Sequence, residues 1–430
     1  MNVLWIVTTQ WRAQACGYAG DPNARTPVLD ALAAESVNFT QAVTPHPFGP
    51  FARAALLTGI PSPENGVADY YDALPDDSHT IAHDFRERGY TTAFFGKWHL
   101  AKRDPRAPLV GEEHARMVIP DTARGGFGFF EGFEGGFQLN NPWLHGSRLP
   151  VPTQFEGYQS DVLCRRTADW VAAQARHEPW FCVLSLEPPH PPYAAHPVMP
   201  GPSAAELSLR GNVPAENSVL ERARAELAGY YGHIAATDRA IGELLACIDI
   251  STTAIVFTSV HGDMHGSHGC FRKGWPYEES VRVPLLIRVP QGDAEQRDDP
   301  VSLLDLRRAT LRLTEGAAAA EAFARANDSR AWAKISMPSV VQLPLQCDRV
   351  WRGLRSKQRK FVRGADGAPW LFFDLERDPL ERTNLVNDPA YADEIAEWSA
   401  RFLPTNHTRD TNSFPDFPRN TRKTRNKNHW

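Results

Sequence analysis

The stretch TAIVFTSVHGD, residues 253–263, decides the fold. Its apolar part is β-branched, aromatic and too short for a core helix, and it stops at a polar, Gly-containing segment, so it reads as a fully buried strand ending in a loop. VLWIV (3–7) reads as a second such strand, and FCVLSLEPPH (181–190) as a third that runs into a proline-stiffened loop. Strands of this kind, apolar on both faces, belong to sheets covered by helices on both sides.

Helical signals lie between them. TPVLDALAAESV (26–37) has apolar residues at helical spacing and leads into NFTQAV as another strand. TIAHDFRERG (80–89) reads as a helix closed by Gly89 before the strand YTTAFFG, and residues 226–249 as a long amphipathic helix. Alternation of this sort predicts an α/β fold. Residues 360–388 predict two strands joined by a Gly-containing turn and then a helix, the texture of a small antiparallel C-terminal subdomain. The expected organisation is an α/β domain over 1–335, the subdomain over 336–403, and a basic tail over 404–430 whose polar composition predicts disorder.

Composition narrows the functions. A net charge of -5 over 430 residues gives no bulk attraction to nucleic acid or an anionic membrane, so any anion must be held by a local cluster. No apolar run approaches the roughly 20 residues needed to span a bilayer, and the N-terminal segment has no basic leader pattern. The six cysteines form no CxxC pair, which predicts free thiols and a cytoplasmic protein.

The chain resembles a bacterial sulfatase of the alkaline phosphatase superfamily. The resemblance rests on the ordered blocks R..LLTG (53–59), GYTTAFFGKWHL (89–100), PPHPPY (188–193), KGWPYEESVRVPLLIR (273–288) and LFFDLERDPLERTNLV (371–386), together with the strand quoted first. It implies an α/β/α sandwich with a mixed central sheet and a small C-terminal antiparallel sheet. It also implies hydrolysis of sulfate esters by a formylglycine made from a cysteine, beside a divalent cation on acidic side chains.

Set against that pattern, HPFGPFARAALLTG (46–59) places Gly49 at the modified cysteine, Phe51 at its proline and Ala52 at its serine, while Arg53 is kept. Glycine has no side chain to oxidise, and His46 is the one neighbouring side chain able to substitute. At the metal positions Thr9 and Val260 replace aspartates, leaving Gln10 and His261, too few and too neutral for a cation that needs about six to eight oxygens. His261, His265 and His268 are a candidate cluster for a softer metal, against which His268 belongs to the family's ordinary GSHG pattern. No metal and no cofactor is therefore expected.

What the resemblance carries over intact is a cationic cradle: Arg53, Lys97, His99, His190 and Lys273, the expected anion-binding and catalytic set. Cations kept after carboxylates are lost predict an unpaired positive pocket that binds a small-molecule sulfate or phosphate ester. The leading expectation is non-hydrolytic C–O cleavage with sulfate leaving and His99 or His190 as general base. The alternatives are a non-catalytic protein that binds an anionic ligand or partner, and residual ester hydrolysis by direct water attack. Specificity is expected from residues 103–160, where the Gly- and Phe-rich run 125–138 is a candidate hydrophobic mouth.

Overall fold

The computed structural model describes residues 1–174, 178–195, 200–324 and 332–402. The expected disordered tail lies outside the described residues. A ten-stranded sheet forms the centre, in the order Glu295–Arg297, Val37–Phe39, Leu285–Arg288, Thr253–Ser259, Asn2–Thr8, Trp180–Ser185, Thr91–Lys97, Phe129–Phe133, Trp143–Gly146 and Leu149–Gln154. The five strands from Thr253–Ser259 through Phe129–Phe133 run parallel, and antiparallel pairs flank them on both sides, so the sheet is mixed.

The first strand shows why these segments read as unbroken apolar runs. Val3, Trp5 and Val7 enter one hydrophobic cluster, while Leu4 and Ile6 enter a second on the opposite face. Successive side chains of a strand point to opposite faces, so a sheet covered on both sides needs apolar residues at every position. The first face is covered by the helices Gly49–Thr58, Ile81–Glu87 and Leu306–Thr314, the second by Gln159–Ala172 and Asn217–Leu245. This is the expected α/β/α sandwich.

A separate four-stranded antiparallel meander follows, Trp332–Met337, Trp351–Ser356, Arg359–Gly364 and Pro369–Asp374. The hairpin read over 360–374 is present, but the helix expected directly after it is not. Asp374, Asp378 and Asn384 turn their side-chain oxygens onto nearby backbone N–H groups and hold that segment in turns. The helix forms later, over Ala392–Ala400, and seals the meander with Ile395 and Trp398. A buried ionic knot ties the meander to the short helix Glu278–Val281: Glu278 accepts from Arg355 at 2.9 Å and lies 2.8 Å from Lys360, which also reaches Glu381 at 2.6 Å.

Among the described residues no helix is long and apolar enough to cross a membrane, and all six cysteines are unpaired.

Candidate functional site

Four of the parallel strands end on one edge of the sheet, where open α/β sheets gather ligands. Thr9 and Gln10 follow Asn2–Thr8; Lys97 ends its own strand, with His99 two residues on. Glu187 and His190 follow Trp180–Ser185, and Val260, His261 and Asp263 follow Thr253–Ser259. The helix Gly49–Thr58 begins at the same place. Gly49 is its first residue and Arg53 sits one turn in, so the helix N-terminus, which favours negative charge, faces this edge. A cavity of about 780 Å³ opens there, with Thr9, Gly49, Lys97, His99, His190, His261 and Lys273 among its lining residues.

The cations are not unpaired, which corrects the expectation of an isolated positive pocket. Lys97 Nζ lies 2.5 Å from Glu187 Oε1, and both side chains are sealed from solvent. Glu187 is fixed in turn by Gln159, whose amide donates to its other oxygen at 3.2 Å. Arg53 donates to Lys97 O at 2.9 Å, Ser185 Oγ at 2.6 Å and Thr9 Oγ1 at 2.8 Å. Lys273 Nζ donates to Gln10 Oε1 and to His190 Nε2, the latter at 3.1 Å. Gln10 donates through its amide to Asp263, which also accepts from Tyr193 at 2.7 Å.

Burial dominates the proton affinities. It draws the Lys273 ammonium down to about 7, reinforced by Lys97 and Arg272 against the opposing pull of Asp263. Burial likewise lowers Lys97, which Glu187 partly restores, and holds Arg53 at about 10. His99, His190 and His261 are all pushed well below the usual histidine range, first by burial and then by the surrounding cations, so each is neutral near pH 7.

The hydrogen bonds then fix which ring nitrogen carries the proton. Arg103 approaches His99 Nε2 at 2.9 Å, and a guanidinium only donates. Nε2 is therefore an acceptor, and the proton of His99 sits on Nδ1, which is buried with no protein partner. That Nδ1 lies 2.9 Å from where a Cβ on Gly49 would stand. His261 has the reverse arrangement: Nδ1 lies 2.8 Å from Gly262 O and donates to it, leaving Nε2 as a buried lone pair without a partner. His190 donates from Nδ1 to Pro191 O at 2.8 Å, so its Nε2 accepts from Lys273.

Other candidates lie elsewhere. His46 is held structurally: Nε2 accepts from Ser62 N at 2.9 Å, Nδ1 faces Ser336 O at 3.2 Å, and burial lowers its affinity to about 4. His265 packs on Tyr230 with ring centroids 4.3 Å apart, 3.8 Å from Glu226. His268 turns away to stack on Tyr277 at 4.0 Å. Among the described residues the one converging group of metal-type side chains is His268, Glu279 and Glu381, where Arg210 already occupies Glu279 and Lys360 occupies Glu381, so His261, His265 and His268 form no common site. Of the Phe-rich run, Phe137 reaches the cavity, whereas Phe127, Phe130 and Phe133 are core residues.

Sequence reasoning missed Glu187, Arg103 and the segment Gln342–Gln346, which also lines the cavity. Glu187 had a legible signal, a carboxylate two residues past the end of a largely apolar strand.

Comparison with known proteins is consistent throughout. The family described as Sulfatase matches residues 1–317. The ulvan-active sulfatase of Formosa agariphila is 33% identical over 414 residues, covering 91% of this chain and 78% of that protein. The arylsulfatase of Clostridium perfringens is 26% identical, covering 92% of both chains. In structure, the phosphonate monoester hydrolase of Agrobacterium radiobacter superposes with a TM-score of 0.72 at 22% identity, covering 93% of this chain and 94% of that one. BT4656, solved in complex with its substrate D-glucosamine-2-N,6-O-disulfate, superposes with a TM-score of 0.76 at 20% identity, covering 92% and 95%.

Proposed function

Because the chain belongs to the sulfatase family, we propose that it binds the sulfate group of an ester in the cradle of Arg53, Lys97 and Lys273 and hydrolyses it by direct attack of water. The observation that carries this reading is the pairing on one cavity of a bare acceptor, His261 Nε2, with a bare donor, His99 Nδ1–H, beside a glycine that leaves the nucleophile's place open. Water bound there loses its proton to His261 Nε2 as its oxygen bonds to sulfur. The sulfur–oxygen ester bond breaks, and the departing oxygen takes the proton of the Lys273 ammonium. His99 Nδ1–H donates to the sulfate oxygens as their charge grows, and Arg53, held behind the cavity by Lys97 O, Ser185 and Thr9, adds positive charge. His99 is thus a hydrogen-bond donor in this reading, and the role of base passes to His261.

In the family the attacking group is formylglycine and a divalent cation supports it. Neither fits the residues at these positions. Gly49 offers no side chain. Thr9 Oγ1 donates to Leu186 O at 3.1 Å and is already engaged by Arg53, the Gln10 oxygen is occupied by the Lys273 ammonium, and Val260 has no donor atom. No step is routed through either group.

The ion pair with Glu187 cancels Lys97, so the positive charge open to the ligand rests on Arg53 and Lys273. The test is turnover of 4-nitrophenyl sulfate by EDTA-treated protein. The reading requires slow, chelator-resistant cleavage that His261→Ala abolishes; saturable binding without turnover supports a purely binding protein.

A second reading, C–O cleavage with sulfate as leaving group, is favoured by the same glycine, since no protein nucleophile faces sulfur. It differs in which bond of the ester breaks.

A further inference from the structure

Above its charged floor the cavity changes character. The floor residues Lys97, His99, His190, His261 and Lys273 are all buried, whereas the mouth is walled by two apolar straps, Pro108–Val110 and Leu343–Leu345. Val110 is 68% exposed and Leu345 40%, so the mouth holds two of the large apolar side chains most open to water. Isolated exposed apolar residues need no explanation, but two at the lip of one cavity with Phe48, Tyr70 and Phe137 behind them form a continuous surface.

The strap at residues 108–110 is built in place. Val110 bridges Gly136, and Gly111 N donates to Gly136 O at 3.0 Å. Gly136 sits at φ +100 with its virtual Cβ only 2.5 Å from Gly111 O, so the close approach requires glycine. This contact anchors Phe137, whose ring stacks flat on His190 at 4.6 Å and lies 4.9 Å from Lys97 Nζ. An apolar plate thus stands directly over the charged floor. Polar groups at the mouth are few: Glu226 and Arg272 are paired with each other at 2.7 Å, Gln346 accepts from Lys273 N at 3.2 Å, and Gln342 stands exposed at the rim.

A sugar ring seated here would surrender the hydration of several hydroxyls and meet carbon in return. An alkyl chain or aryl ring would displace water from Phe137, Leu109 and Leu345 at no such cost. We propose that the site takes the sulfate monoester of an apolar alcohol or phenol, and not a sulfated sugar. This rests on the cradle of the preceding section as the sulfate subsite.

The test is calorimetric binding at pH 6.5 of inorganic sulfate, butyl, hexyl and octyl sulfate below their micellar concentrations, and glucose 6-sulfate. The expected result is a gain of about threefold to fourfold in affinity per methylene, with glucose 6-sulfate no tighter than inorganic sulfate. In Val110→Asn and Leu345→Asn the ratio of octyl to inorganic sulfate affinity falls about tenfold. Inorganic sulfate binding with a flat alkyl series, or glucose 6-sulfate outcompeting octyl sulfate, overturns the substrate class and leaves the cradle standing. Absence of binding by inorganic sulfate and every ester removes the cradle and the substrate class together.

Discussion

Lys97 and Glu187 form an ion pair 2.5 Å long at the floor of the cavity, with side chains 1% and 0% exposed. Breaking such a pair from one side leaves an uncompensated buried charge and costs about 3–5 kcal/mol. Lys97→Met is therefore expected to lower the melting temperature sharply. Glu187→Gln, which keeps the shape but removes the negative charge, is expected to destabilise less and to tighten sulfate binding severalfold by freeing Lys97 for the ligand. Calorimetry with sulfate on the two variants separates these effects; weaker sulfate binding in Glu187→Gln contradicts the role given to the pair.

Lys273 gives the site its pH dependence. Its affinity for the proton is depressed to about 7 in the folded protein, from the ordinary lysine value of roughly 10.4. The charged form, the one proposed to hold an anion, is thus populated below about pH 7 and is lost above it. Sulfate affinity is expected to fall as pH rises from 6 to 9, with proton uptake on binding at pH 8. Titrations in buffers of different ionisation enthalpy measure that uptake, and Lys273→Gln removes it.

The three neutral histidines act on stability with a definite sign. His99, His190 and His261 have folded-state affinities well below the unfolded value of roughly 6.5. The unfolded chain therefore binds protons that the native chain does not. Their stabilising contribution is complete above pH 6.5 and declines as the pH drops below it. Denaturant titrations at pH 7.5 and 5.0 are expected to show lower stability at the acid value, and His261→Phe to reduce the difference.

Placing a cysteine at position 49 is not expected to introduce formylglycine chemistry. A Cβ there would stand 2.9 Å from His99 Nδ1, so the imidazole must shift, and Phe51 and Ala52 still occupy the flanking positions. Gly49→Cys is expected to show no aldehyde by intact mass and no gain in aryl sulfatase rate, and Gly49→Ala to weaken sulfate binding by displacing His99.

Much of the fold was legible because two-sided burial writes itself into a strand as an unbroken apolar run, as in residues 3–7 and 254–257. The site was legible where a side chain ends such a run, as Lys97 does. It was illegible where contacts come from distant chain: Arg103 acts through a loop, and Gln342–Gln346 reaches the cavity from beside the second sheet. Protonation was the other blind spot. Residue type names a histidine, but only Arg103 on one ring and Gly262 on the other make His99 a donor and His261 an acceptor.

The central claim is hydrolysis at sulfur by water, without a protein nucleophile or a cation. The most direct measurement is cleavage of 4-nitrophenyl sulfate by EDTA-treated protein in ¹⁸O-labelled water, with mass spectrometry of both products. The expected result is one labelled oxygen in the sulfate and none in the nitrophenol, at a rate unchanged by the chelator. Unlabelled sulfate from the reaction, or loss of turnover on chelation that calcium restores, would contradict it.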